Sequence, residues 1–154
     1  MIQTNICFLL RRGEILLAMK KRGFGEGKYN GAGGKCEEGE TPLRGAIREV
    51  REEICVDVEE KDMRFVAMLH FHFPHKPEWD QECSVFFADN FAGVPRETEE
   101  MRPQWFLLEE IPYTLMWSDD ILWLPQVLAG NIIDAQITFN EDNSVRNFSA
   151  VNVE

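Results

Sequence analysis

The sequence predicts an α+β domain of α/β/α layers, a mixed β-sheet with helices packed on it. Two observations lead there. Apolar residues alternate with period two in several segments and recur with helical period in two others. The order strand-strand-loop-helix-strand-strand-strand-helix-strand-strand lacks the regular alternation of a doubly wound parallel sheet.

Taken in order, residues 4–10 (TNICFLL) and 14–20 (EILLAMK) read as two strands of a hairpin turning at Arg11-Arg12-Gly13. A glycine-rich loop follows, with Gly23, Gly25, Gly27, Gly31, Gly33, Gly34 and Gly39. Such a backbone bends often or is closely approached by other groups. Thr41 then suits a helix N-cap and Pro42 its first turn. Leu43, Ala46, Ile47, Val50 and Ile54 fall on one face of that helix. Residues 64–73 (RFVAMLHFHF) alternate as a strand, with Phe65, Ala67, Leu69, Phe71 and Phe73 on one side and His70 and His72 on the other. Strands are expected at 82–90 and 104–108. Ser118 or a neighbour caps a helix to about Leu128, with Gly130 just beyond. Residues 132–139 and 145–153 form a last pair across Asn140–Ser144.

The whole of 1–154 reads as one domain, large enough to bury roughly two-thirds of its unfolded surface. A hydrophobic share of 44% argues against a disordered or fibrous chain. Ile6–Leu10 is too short to span a bilayer and lacks the basic flank of a signal peptide. Cys7, Cys36, Cys55 and Cys83 show no CxxC pairing, so reduced thiols in a cytoplasmic protein are expected. The net charge of −11 argues against a nucleic-acid binder. It is unevenly spread: residues 1–51 carry ten Lys/Arg against six Asp/Glu, and 52–154 carry six against 21. That asymmetry suits a phosphorylated ligand carried with a divalent cation, or only solubility.

Residues 34–56, GKCEEGETPLRGAIREVREEICV, carry the chemistry. Glu49 and Glu53 lie about 40° apart on a helical wheel, with Glu52 beside them. Like charges four apart destabilise a helix by roughly 0.2–0.5 kcal/mol, and the C-terminal end of the dipole disfavours anions further. A hard divalent cation with oxygen ligands would offset both costs. A solvated acidic face with Arg48 and Arg51 as counterions is the bland alternative. Glu40 precedes the helix, Gly33-Gly34 can bring backbone against its carboxylates, and Arg48 can hold a glutamate by a forked bond.

Gly34-x5-Glu40-x7-Arg48-Glu49-Val50-x-Glu52-Glu53-x-x-Val56 resembles the signature of the Nudix hydrolases. These cleave nucleoside diphosphates linked to another moiety, using magnesium or manganese. Cys55 departs from the pattern, which has glycine there to end the helix in a left-handed turn. Lys20–Gly25, Lys28–Gly31, Glu100–Pro103 with Trp105-Phe106, and Met116–Asp120 resemble one subgroup, the animal-type MutT homologues that hydrolyse oxidised purine nucleoside triphosphates.

The resemblance implies a Nudix fold and a monomer whose partner is a small nucleotide, with neither nucleic acid nor membrane. It implies Mg2+, or Mn2+, at Glu49, Glu52 and Glu53, with the Gly33 carbonyl and Glu100 as further ligands. Arg48 joins Glu49, Glu52 and Glu53 as a catalytic group, Glu53 being first choice to polarise the attacking water. The substrate set is Asn5, Lys20, Phe24, Asn30, Gly33, Gly34, Phe71, Phe73, Met101, Trp117, Asp119 and Asp120.

The residue types agree. Trp117 offers a flat face for stacking. Asp119-Asp120 beside it favours one protonated carboxyl, a donor next to an acceptor, as an oxidised guanine or 2-hydroxyadenine requires. Helix-start acids matching the dipole are the plain alternative. His70, His72 and His75 could mimic a zinc site but lack a fourth ligand. PHKPEWDQE (74–82) departs from the subgroup, and Gln81 stands near an apolar pocket position. Two rival readings remain: another Nudix substrate such as a nucleotide sugar, ADP-ribose or a dinucleoside polyphosphate, and a non-catalytic nucleotide sensor. Trp117–Asp120 speaks against the first, the intact acidic helix against the second.

Overall fold

The computed structural model describes residues 1–153. Among them, β1 (Ile2–Arg11) and β2 (Glu14–Lys20) form the expected hairpin, but they pair only at Leu10↔Ile15 and Arg11↔Glu14. Beyond that point they part. β1 continues between β4 (Ala32–Lys35, antiparallel) and β6 (Gln81–Ala88, parallel). β2 pairs with β3 (Tyr29–Asn30) and β7 (Met101–Leu107). β5 (Arg64–His72) lies between β6 and β8 (Ile133–Phe139), and β9 (Val145–Asn152) closes that edge across the expected turn. The parallel pairs β1–β6 and β5–β8 make the sheet mixed.

Helix α1 (Pro42–Ile54) covers one face and α2 (Asp120–Leu128) the other. Alternation along the strands feeds both layers. Phe8, Ile15 and Leu17 join Trp123, Leu124 and Val127 beside α2. Cys7, Leu9, Leu16 and Ala18 join Ala46, Val50 and Ile54 beside α1. Thr41 caps α1, its hydroxyl accepting from the Arg44 N–H at 3.2 Å. Cys55 ends it in the left-handed conformation, φ 63°, the geometry a glycine normally supplies.

Four expectations need correction. The glycine-rich stretch is not all loop, because Ala32–Lys35 is a strand against β1. Glycine is needed there because a Cβ on Gly33 would stand 2.0 Å from the Asn5 carbonyl oxygen. A β-bulge between Phe65 and Ala67 takes Phe65 off the predicted face and sets its ring edge-on to Phe86. β7 begins at Met101, three residues early, because it pairs with β2 along its whole length. Ser118 does not cap α2; its hydroxyl donates to the Asn143 carbonyl.

Candidate functional site

The C-terminal half of α1 presents its glutamates toward β4. Arg48 organises them. Its Nε and Nη2 donate to the two Glu40 oxygens at 2.7 and 2.9 Å, the forked pairing its planar guanidinium favours. Its Nη1 reaches Glu49 at 2.9 Å and Glu52 at 3.1 Å. The Arg48 bonds, with the Glu37 N–H, hold the Glu40 carboxyl down at about 2. Glu53 differs. It is 8% exposed and accepts the Gly33 N–H at 2.8 Å. Burial first, then the charge of Glu49, push its carboxyl up to about 7 despite that bond. Burial likewise raises Glu49.

The loop after β6 finishes the helix end. Thr98 Oγ1 donates to the Glu53 carbonyl at 2.8 Å, and the Arg96 N–H reaches the Ile54 carbonyl at 3.0 Å. Both carbonyls lack partners within the helix. Glu100 follows directly and is held by Arg22, whose Nε donates at 2.9 Å and lowers its carboxyl.

Among the described residues no three His, Cys, Asp or Glu side chains converge as a ready metal cluster. Glu49 and Glu52 share Arg48, and Glu100 faces Arg22. The donor set nevertheless suits a hard cation: exclusively oxygen, partly desolvated and like-charged. The cradle is glycine-built, since a Cβ on Gly34 would meet the Glu49 carboxylate at 3.0 Å.

From Glu53 a cavity of about 310 Å³ opens on the α2 side of β1. All twelve residues of the predicted substrate set line it, Asn5 and Lys20 through Asp119 and Asp120, whereas Arg48, Glu49, Glu52 and Glu100 lie outside. Asn5 lines it only in part. Its amide is 1% exposed and donates to Cys36 Sγ at 3.6 Å, beneath Gly45 of α1, away from the aromatic walls. Its neighbour Thr4 lines the same cavity from the face of β1 that carries Phe8 and donates from Oγ1 to Gln81 Oε1 at 3.1 Å. Lys28, Gln81, Cys83 and Phe139 also line the cavity and were absent from the predicted set.

Aromatic rings build the walls. Phe73 stacks on Phe139 at 4.9 Å, Trp117 stands edge-on to Phe139 at 5.9 Å, and Phe24 lies 5.1 Å from Trp117. The acids Asp119 and Asp120 line the same cavity, both buried. Asp119, the neighbour of Ser118, occupies the N-cap position of α2 without a side-chain capping bond; its Oδ2 accepts the Trp123 indole N–H at 2.8 Å. Asp120 Oδ2 is buried with no partner. Burial raises both carboxyls, and Asp120 rises further under the charge of Asp119, so the pair favours keeping a proton. Asn30 spends its carbonyl on the Gly31 N–H, leaving its amide to donate. The histidines form no metal site: His70 pairs with Asp134, His72 with Gln136, and His75 packs on Phe73 and Trp79.

A glutamate-rich helix docked under a sheet, at the mouth of an aromatic cavity, is the arrangement of a Nudix-type hydrolase. The family model described as NUDIX domain matches residues 1–127, and the chain belongs to that family, whose members generally act with divalent cations. It is 39% identical over 150 residues to the mouse protein named oxidized purine nucleoside triphosphate hydrolase, covering 97% of this chain and 94% of that one. It is 44% identical over 124 residues to the zebrafish (Danio rerio) protein of the same name, covering 80% and 78%. Among solved structures, the mutator MutT protein of Bacillus halodurans superposes with a TM-score of 0.82 over 97% of both chains, at 18% identity. That likeness concerns the fold.

Proposed function

We propose that residues 1–154 act as one domain that hydrolyses oxidised purine nucleoside triphosphates to the monophosphate and pyrophosphate, with magnesium as the working cation. The observation that carries this reading is the buried Asp119–Asp120 pair, which lines, together with Trp117 and Glu53, one aromatic-walled cavity. A proton-holding carboxyl donates and its ionised neighbour accepts. The pair therefore meets a purine edge whose donor pattern oxidation has altered. The names of the mouse and zebrafish relatives support the same substrate class.

Each group has a role in this reading. Trp117 stacks on the base, Phe24, Phe71, Phe73 and Met101 exclude water around it, and the Asn30 amide donates to its edge. Lys20 meets the phosphates. Glu49, Glu52 and Glu53 hold the cation, with the Gly33 carbonyl and Glu100 available beside them. A divalent cation there offsets phosphate charge and polarises water. Arg48 touches no substrate; it fixes Glu40, Glu49 and Glu52 in one geometry. Glu53, raised toward neutrality by burial and oriented by the Gly33 N–H, is suited to take the proton of the attacking water. The acidic surface favours a small nucleotide over nucleic acid, and a monomer in the cytoplasm suffices for this chemistry. Among the described residues no helix is long and apolar enough to cross a membrane.

The test is kcat/KM with magnesium for 8-oxo-dGTP, 2-hydroxy-dATP and dGTP, in wild type and Asp119→Asn. The amide keeps an acceptor for Trp123 but loses the titrating proton. Oxidised purines should lose at least about tenfold, roughly 1.4 kcal/mol, and the preference over dGTP should shrink with them. Equal losses on all three substrates would assign Asp119 to the fold instead of the base.

A further inference from the structure

Phe24 forms one wall of the cavity, yet it is 49% exposed and sits between Gly23 and Gly25, at φ 84° and 87°. With glycine on both sides the local backbone does little to fix its ring. Aromatic contact does. Both Trp117 and Trp79 meet it, each with its ring centre 5.1 Å away. Trp117 is itself part of the cavity lining, whereas Trp79 touches Phe24 without lining the cavity.

Trp79 is well anchored. It ends the 3-10 turn Pro77–Trp79, meets Phe73 edge-on at 5.8 Å, and carries the Lys76 ammonium 4.1 Å from its ring centre. Its carbonyl accepts from Gln81 Nε2 at 3.2 Å. Asp80 closes the loop, its Oδ1 accepting the Phe73 N–H at 2.7 Å. Phe73 and Gln81 are cavity residues, so this one turn ties three parts of the lining together. The turn lies within the segment, 74–82, where the sequence departs from its subgroup.

We infer that Trp79 is a positioning residue for base binding: it holds Phe24 against the flat purine ring, and so sets the affinity of the cavity for the base without touching the substrate. The inference rests on reading the cavity as a base pocket. Removing the indole leaves Phe24 free to swing outward, and binding must then also freeze that ring.

Two measurements test it. Calorimetric binding of 8-oxo-dGMP and dGMP to the metal-free protein, in wild type, Trp79→Ala and Trp79→Phe, reads the base pocket without chemistry. Steady-state turnover of 8-oxo-dGTP separates KM from kcat. Trp79→Ala should weaken 8-oxo-dGMP binding and raise KM at least tenfold, with kcat unchanged within twofold. Trp79→Phe, which keeps an aromatic edge against Phe24, should return both within about threefold of wild type. Undiminished binding in Trp79→Ala overturns the inference. So does a variant that loses kcat and affinity together, or one that phenylalanine does not rescue, since either marks a merely structural residue. If the oxidised-purine reading fails, wild type binds dGMP as tightly as 8-oxo-dGMP; the loss in Trp79→Ala then falls on both and the inference stands. Absence of any base-dependent binding in wild type removes both readings.

Discussion

Replacing Glu53 by glutamine separates what the buried carboxylate costs the fold from what it does for the reaction. Glu53 is 8% exposed, and its carboxyl is raised from 4.5 to about 7, chiefly by burial. A tenfold change in a protonation equilibrium corresponds to about 1.4 kcal/mol, so ionised Glu53 costs the metal-free protein about 3 kcal/mol at pH 8. Glutamine has no ionisation cost and still accepts the Gly33 N–H. Its buried amide N–H2 takes back about 1 kcal/mol. The variant should therefore be more stable than wild type by about 2 kcal/mol at pH 8, or about 4–8 °C in Tm for a chain of this size.

The gain must depend on pH. Between pH 4.5 and about 7 the folded carboxyl retains a proton that the unfolded chain has released, so wild-type stability falls as pH rises through that window. The variant lacks this dependence, and its advantage should vanish below about pH 4.5. Asp119 and Asp120 shift in the same direction in both proteins and cancel from the difference. The assay is urea unfolding from pH 4 to pH 8 in chelator. Magnesium should reverse the order: wild type gains about 2.7 kcal/mol at a hundredfold excess over its dissociation constant, and the variant gains little. Turnover in Glu53→Gln should fall at least about 100-fold, some 2.7 kcal/mol. A variant no more stable than wild type at pH 8, or a gain that persists at pH 4, would refute the reasoning.

Two further outcomes follow from backbone geometry. Cys55 at φ 63° carries the strain of a side chain in the left-handed region, so Cys55→Gly should raise stability by up to about 1 kcal/mol in urea unfolding, with turnover unchanged. Gly33→Ala would drive a Cβ into the Asn5 carbonyl oxygen; thermal unfolding should show a loss of about 3 kcal/mol, and magnesium-dependent activity should disappear with it.

What the sequence revealed depended on whether local chemistry or tertiary contact decides. Thr41, Pro42 and the apolar stripe of α1 are local, and the helix runs as they require, to Ile54. Phe73, Trp117, Asp119 and Asp120 were legible as a set through resemblance, and they do share one cavity. The strand at Ala32–Lys35 was not legible, because two glycines carry no strand propensity; the close approach of β1 selects them. The bulge that displaces Phe65 and the parallel pairing of β1 with β6 are decided between strands distant in sequence. Asn5, named through resemblance, lines the cavity, and so does Thr4, its unnamed neighbour on β1. Trp79 left a weaker trace, an aromatic within a loop otherwise polar.

The uneven charge of the chain acquires a physical meaning once β4 is in place. Lys20 lies close enough to Glu53 to pull its carboxyl down, and Lys28 does the same to Asp120 at the other end of the cavity. The basic first third thus sets cations beside both acidic clusters: Arg48 and Lys20 by the glutamates of α1, and Lys28 by the aspartates of α2. Gly33 bridges these ends: its N–H holds Glu53, its strand pairs with Ile6, and its backbone lines the cavity. In the proposed binding mode, with the base at Asp119 and Asp120, the phosphates would run past this glycine toward Glu53. Any side chain at position 33 would collide with β1, so the fold contact and the proposed substrate path impose the same residue for different reasons. Gly33 stands next to Gly34, the first position of the signature that carries the glutamates: the helix supplies the charges, and in the proposed binding mode the bare strand lets a polyanion and its cation approach them.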